Sequence, residues 1–274
     1  MKSINYIDGL DVEKAKNAIE FLKTSRQPFQ VIMTNYTINI KGAINYKFMK
    51  QERSFKFFAM YNKLKKEVTD YLLKNELPTC KNIYYYDIAP KLDFKADKVF
   101  NVDLTAAYIH VLKNEKIISA ELFDELNALE KQDRLSIVGM LASKKSVYSF
   151  NDQGEIINFE IIENKALRNV FFHCVNITFL IMQQIKNLIG ESYIYSWVDG
   201  VYFTNEMDNF LIEDYLISIN YPFKTEMLEN FIYKNEKEHV AIIFDKGIKT
   251  KTFNIPTKKN KFAADIYNYL QKQI

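Results

Sequence analysis

Hydrophobic positions along the chain fall into short runs whose period changes repeatedly. Between residues 11 and 24, Ala15, Ala18, Ile19 and Leu22 recur at the spacing of one helix face. Residues 29–40 (FQVIMTNYTINI) alternate as a strand does. Residues 54–75 return to helical spacing and stop ahead of Pro78. Residues 83–88 and the apolar residues 99–104 are predicted as strands, the second of them buried. Ser119 offers a helix cap with Glu121 in the first turn, and that helix is predicted to run to about Ala142. Residues 144–159 read as a hairpin turning at Asp152-Gln153-Gly154. A long helix is predicted from about Glu160 to Ile189, ended by Gly190. Two strands follow, 193–197 and 201–204, joined by a tight turn at Asp199-Gly200, then a helix over 207–219. Residues 240–244 and 249–255 make a last pair of strands. No internal repeat and no Ser/Gly/Pro linker divides the chain. Interleaved helices and hairpins predict the α+β class: a mainly antiparallel sheet with helices packed on one face.

Composition narrows the classes. The 274 residues are 48% hydrophobic and 26% charged, enough for a packed core in one large or two small domains. Seven Gly and five Pro exclude collagen and low-complexity chains. Two cysteines, Cys80 and Cys174, exclude a disulfide framework or a multi-cysteine zinc site. His110, His173 and His239 are too few and too scattered for a histidine-built metal centre. Asp8, Asp11 and Glu13 stand where a signal peptide has its apolar run, and no run spans a bilayer. The expectation is a cytoplasmic protein without a membrane partner, in the host cytoplasm if the protein is viral.

The net charge of +3 does not mark a nucleic-acid binder, but local charge does more. Lys41, Lys47, Lys50, Arg53, Lys56, Lys63, Lys65 and Lys66 are opposed only by Glu52, and Tyr46, Phe48, Phe55, Phe57, Phe58 and Tyr61 are interleaved with them. Lysines neutralise phosphates while aromatic faces stack on bases. The plainer alternative is a solvated lysine face over an aromatic core. Lys246, Lys249, Lys251, Lys258, Lys259 and Lys261 form a second basic cluster.

Two aspartates are the candidates for chemistry. Asp103 ends the apolar strand VFNVDL, and Asp199 sits at the tip of YSWVDGVYF. A carboxylate in an apolar setting must be solvated, paired or metal-bound. Two such groups brought together suit divalent magnesium and nucleotide phosphates. Singly, each is also read as a strand end or a hairpin turn. On the long helix, Lys165, Arg168, Asn169 and Phe172 fall on one stripe, a set that suits a triphosphate and a stacked base. An ordinary polar stripe is the alternative.

The order of these elements resembles the polymerase core of family B DNA polymerases, over roughly residues 95–255. DLTAAYIH is similar to that family's motif A, Asp-x-x-Ser-Leu-Tyr-Pro, with Asp103 at the metal-binding aspartate and Tyr108 at the ribose-excluding tyrosine. KALRNVFF resembles motif B, Lys-x-x-x-Asn-Ser-x-Tyr-Gly, with Lys165 at the triphosphate lysine, Asn169 at the asparagine and Phe172 at the tyrosine. WVDGVYF resembles motif C, Asp-Thr-Asp-Ser, with Asp199 at its second aspartate. Lys251-Thr252-Phe253 resembles the Lys-x-Tyr motif that contacts the primer. Trp197 stands for the first motif C aspartate and Gly200 for its serine; Ile109, Val170, His173 and Phe253 are further departures.

The resemblance implies a palm-like antiparallel sheet with packed helices, a small helical fingers element and no full thumb. Its expected segments are a basic, aromatic N-terminal part (1–94) with no exonuclease, palm (95–118), fingers-like helices (119–189), palm (190–256) and a short C-terminal helix (257–274). It implies a minimal DNA-directed DNA polymerase of a virus or mobile element, adding deoxynucleotides to a primer 3′ end. Asp103, Asp199 and the Leu104 carbonyl would hold two Mg²⁺ ions, or Mn²⁺ in their place. Lys165, Arg168, Asn169, Tyr108 and Phe172 would bind the nucleotide. Lys251, Phe253, Lys249, Lys47, Lys50, Arg53 and Lys56 would hold primer-template DNA. A further replication protein would supply thumb, clamp or priming function. The alternatives are a catalytically degenerate polymerase-like DNA-binding module, motivated by Trp197, and a primase-like nucleotidyltransferase.

Overall fold

The computed structural model describes residues 4–8, 12–34, 37–49, 53–80, 86–88, 94–236, 239–243 and 251–254. In chain order its elements are β1 (Ile4–Asp8), α1 (Val12–Thr24), β2 (Phe29–Met33), β3 (Thr37–Lys41), β4 (Asn45–Met49), α2 (Phe55–Leu72), β5 (Tyr86–Ile88), β6 (Phe94–Leu104), α3 (Ala107–Asn114), α4 (Ala120–Asn127), α5 (Lys131–Gly139), β7 (Lys144–Phe150), β8 (Ile156–Glu163), α6 (Lys165–Ile189), β9 (Tyr193–Trp197), β10 (Gly200–Phe203), α7 (Asp208–Ser218), β11 (Phe223–Glu236), β12 (His239–Ile243) and β13 (Lys251–Asn254). The α+β class is as expected. Instead of one sheet the described residues form two, each in its own compact unit. One unit holds the described residues up to Ala59 with Ala142–Arg168; the other holds Met60–Leu141 and the described residues from Asn169 onward.

The first unit is built on the sheet β1-β4-β3-β2-β7-β8, antiparallel throughout except for the parallel β1–β4 pair. Ala15, Ala18, Ile19 and Leu22, the predicted face of α1, are buried in a core with Phe29, Val31, Met33, Ile38, Ile40 and Phe48. Removing each large apolar side chain from water contributes about 1.5–3 kcal/mol. The Phe29 and Phe150 rings stack at 4.2 Å, joining β2 to β7 across the sheet. The alternating stretch 29–40 is a hairpin rather than one strand, because Thr34 turns it: its amide donates to the Thr37 carbonyl at 2.9 Å. The predicted 152–154 turn is present. Asn151 Oδ1 accepts from the Gln153 and Glu155 amides at 3.0 and 2.9 Å, and Gly154 takes φ +79°.

In the second unit the sheet order is β13-β12-β11-β6-β10-β9-β5, all antiparallel. β6 runs centrally between β11 and β10. Val99, Phe100, Val102 and Leu104 are all buried, so both faces of β6 are covered over that run. The predicted cap holds: Ser119 Oγ accepts from the Leu122 amide at 3.2 Å, and Glu67 of α2 accepts from the Ser119 amide and hydroxyl. The helix predicted to reach Ala142 breaks into α4 and α5. Arg134 donates to the Asn127 and Leu129 carbonyls at 3.1 and 3.3 Å, satisfying the end of α4. Likewise, the long helix starts at Lys165 rather than Glu160. Asn164 caps it through the Leu167 amide at 3.0 Å, while residues 156–163 pair with β7 instead. No helix among the described residues is long and apolar enough to cross a membrane.

Candidate functional site

Asp103 lies one residue from the end of β6, where three strands meet. Gly200 of β10 is directly opposite it on one side and Lys224 of β11 on the other, and Trp197 of β9 is opposite Gly200. Directly paired residues of an antiparallel sheet share a face, so Lys224, Asp103, Gly200 and Trp197 make one row across it. Two residues along, Glu226, Asn101, Tyr202 and Tyr195 make the next row on the same face.

The turn between β9 and β10 brings Asp199 beside this row. Val198 holds φ +55°, a strained conformation for a β-branched residue costing about 1–3 kcal/mol. The Asp199 carbonyl then accepts from the Leu104 amide at 2.7 Å, tying the hairpin tip to the residue after Asp103. Gly200 is needed for its lack of a side chain. A Cβ there would stand 2.8 Å from Asp103 Oδ1 and 3.6 Å from Asn101 Oδ1. Both oxygens therefore face the bare Cα of Gly200. Asn101 is 8% exposed, and its Oδ1 has no hydrogen-bond partner.

Tyr202 reports the local field. Burial pushes its hydroxyl pKa up, a hydrogen bond with Tyr195 works against that, and the charges of Asp103, Glu226 and Asp199 push it further up. Three carboxylates on two strands and a turn therefore act on one buried phenol. The Tyr202 and Tyr195 rings stack at 4.5 Å in the row next to Asp103.

The remaining sequence candidates divide between the units. In the second unit, Tyr108 on α3 meets the Phe171 ring edge-on at 5.7 Å, and Phe172 lies 5.9 Å from Phe171. Asn169 is engaged by the chain itself: Nδ2 donates to the Pro78 carbonyl at 3.1 Å, and Oδ1 accepts from the Cys80 amide at 3.2 Å. Leu104 is buried at 2% exposure. Lys251 and Phe253 lie on β13, at the edge of the sheet. In the first unit, Lys165 is exposed at the start of α6, and Arg168 pairs with Glu163 at 2.5 Å, which also takes Lys144 at 3.0 Å. Lys47 lies over the Phe58 ring at 5.9 Å and Arg53 over Phe57 at 4.9 Å; Lys56 is exposed. Phe48 and Phe57 are core residues and present no face to a base, whereas Phe55 is 89% exposed. Lys50 and Lys249, and the expected helix 257–274, lie outside the described residues.

Asn101, Lys224 and Glu226 were not among the sequence candidates. Asn101 was within reach of strand alternation, being two residues before Asp103 on the same face. Lys224 and Glu226 depend on a strand pairing that no local pattern announces.

Among the described residues, no group of three or more His, Cys, Asp or Glu side chains is placed to hold a metal ion. The oxygens of Asp103 and Asn101 on β6 and of Asp199 at the hairpin tip are nevertheless of the kind a hard divalent cation takes: carboxylates and an amide carbonyl. The orphaned Asn101 oxygen, two residues from Asp103 on the same face of β6, is a donor of that kind. No protein-family model matches the chain, and no curated protein matches its sequence.

Proposed function

We propose that the chain is a minimal DNA polymerase, with the sheet of the second unit serving as a palm and with Asp103 and Asp199 as its metal-binding carboxylates. The observation that carries this reading is the pairing of Asp103 with Gly200. It sets the motif A-like strand end against the motif C-like hairpin, with Asp199 tied to the next backbone amide. Divalent cations bound there would acidify a primer 3′-hydroxyl and neutralise charge on the departing pyrophosphate. The chain's own part is positioning. The two carboxylates fix where the cation charge sits, and Gly200 keeps the approach to Asp103 open. Tyr108, held against Phe171, supplies the bulk that excludes a ribose 2′-hydroxyl. The motif resemblance gives Lys165 and Arg168 the triphosphate, Lys251 and the basic residues near Lys47 the DNA, and Leu104 a backbone carbonyl for metal. Asn169 contributes indirectly, by holding the backbone of residues 78–80 beside Phe172's helix.

Primer extension on a labelled primer-template with dNTPs and Mg²⁺ or Mn²⁺ tests this. Extension is expected from the wild-type chain and is expected to fall at least a thousandfold in Asp103→Ala and Asp199→Ala. A second reading, a DNA-binding module without chemistry, is favoured by Trp197 in place of a third carboxylate. It predicts no extension, together with DNA binding that ignores both aspartates and falls steeply with salt.

A further inference from the structure

We infer that Asn101 supplies a third side-chain oxygen to a divalent cation held at the Asp103–Gly200 pairing, an inference that rests on reading Asp103 and Asp199 as cation ligands. Asn101 is more than nine-tenths buried, and Oδ1 has no hydrogen-bond partner. An unmet carbonyl lone pair in the interior is costly, and native proteins leave few of them. This one is not pointed at random. Asn101 and Asp103 lie on the same face of β6, two residues apart, and both side-chain oxygens face Gly200, at 3.6 and 2.8 Å from where its Cβ would stand.

Oδ1 is sealed from solvent. A small divalent ion contacts an oxygen ligand at about 2.1 Å. An amide oxygen adds a hard ligand without adding charge. That suits a site where Asp103, Asp199 and Glu226 already crowd the Tyr202 hydroxyl with negative potential. It also offers, from β6, a ligand that Trp197 of the hairpin cannot provide.

The test is Mn²⁺ binding to the full chain without DNA or nucleotide, followed by electron paramagnetic resonance and calorimetry. Asn101→Leu keeps the volume and removes the oxygen. Its Mn²⁺ affinity is expected to fall about tenfold or more, while the metal-free melting temperature stays level or rises, because an unmet polar group has gone. Asn101→Asp replaces the amide with a carboxylate. It is expected to bind Mn²⁺ at least as tightly as wild type, with a steeper dependence on pH. If Asp103→Ala loses Mn²⁺ and Asn101→Leu does not, Asn101 is no ligand, although the site stands. Should Asn101→Leu fail to fold, Mn²⁺ affinity in Asn101→Asp below wild type overturns the inference instead. Wild-type binding that neither Asp103→Ala nor Asp199→Ala weakens defeats the underlying reading, and this inference with it.

Discussion

Substituting Gly200 by alanine separates a structural glycine from a functional one. The φ of Gly200 lies outside the left-handed region, so the backbone itself admits alanine. The obstacle is the added methyl, which lands 2.8 Å from Asp103 Oδ1, about 0.6 Å short of the 3.4 Å where ordinary contact begins. What must yield is the end of a half-buried aspartate side chain rather than backbone, so the cost to the fold is small. Restricting the unfolded chain returns about 0.4–1 kcal/mol. The metal-free melting temperature should therefore stay within about 3 °C of wild type.

The effect on the site should be much larger. A retreat of about 0.6 Å is several times the roughly 0.2 Å latitude of a metal–oxygen bond. Misplacement on this scale costs up to about a hundredfold in rate. Gly200→Ala should bind Mn²⁺ about ten- to a hundredfold more weakly and extend primers about a hundredfold more slowly, with Gly200→Ser similar or worse. Thermal melts, Mn²⁺ titration and primer extension on the same preparations decide the matter. Unchanged Mn²⁺ affinity in a folded Gly200→Ala chain would refute the reasoning, since it would mean that the carboxylate orientation next to Gly200 is not used.

Other consequences are open to simpler measurements. Cys174 is fully buried and burial drives its thiol pKa far up, whereas Cys80 is partly exposed; an aromatic disulfide reagent should titrate one thiol in the native chain and two in denaturant. Asn169→Ala removes both hydrogen bonds to residues 78–80, at about 0.5–1.5 kcal/mol each, so Cys80 should label roughly tenfold faster, and an unchanged rate would place the clamp elsewhere. Glu163→Gln leaves Arg168 and Lys144 without their shared carboxylate and should lower the denaturation midpoint by about 1 kcal/mol equivalent, less in high salt. His110 packs edge-on to Phe123 at 4.7 Å, and burial, with Lys113 and Arg134 nearby, lowers its pKa to about 4. The unfolded chain takes up that proton near 6.5 and the folded chain only near 4, so the contribution is complete at pH 7 and is lost as pH falls between those values. His110→Phe should accordingly lose less melting temperature between pH 7 and pH 5 than wild type does.

Elements with a strong period or a side-chain cap could be read from the chain, and elements defined by their partners could not. α1 shows in the spacing of Ala15, Ala18, Ile19 and Leu22, all of which are buried, and the β7–β8 turn shows in Asn151 and Gly154. β11 was not foreseen because its pattern is broken: Lys224, Glu226 and Glu229 are exposed while Leu228 is buried, and the strand exists through its ten pairings with β6. β4 was hidden by its own composition. Lys47 beside Tyr46 and Phe48 suggested a nucleic-acid surface, yet Phe48 is wholly buried. The division into two units was equally out of reach, since it depends on β7 pairing with β2 across more than a hundred residues of sequence. At the site, Asp103 and Asp199 stand out as carboxylates within apolar stretches of sequence. Asn101 does not, because asparagine in a strand carries no signal until its neighbours are known.

Two residues of the β9–β10 hairpin become one feature when the strands are paired. Trp197, standing for an aspartate, and Gly200, standing for a serine, are directly opposite each other on β9 and β10. A serine at 200 would bring its Cβ within 2.8 Å of the Asp103 carboxylate, so Asp103 keeps its observed orientation only opposite glycine. Glycine in a strand gives up side-chain packing, and a large aromatic residue across the ladder restores it. Trp197 and Gly200 are therefore expected to be coupled. Trp197→Asp alone, which restores the motif residue, should destabilise the hairpin by exposing the Gly200 backbone, and should gain no metal affinity unless the strand is repacked. A double-mutant cycle over Trp197→Asp and Gly200→Ser, read by melting temperature, measures the coupling as the departure from additivity. Additive effects would mean that Trp197 and Gly200 act independently and that Trp197 takes no part in keeping Asp103 accessible.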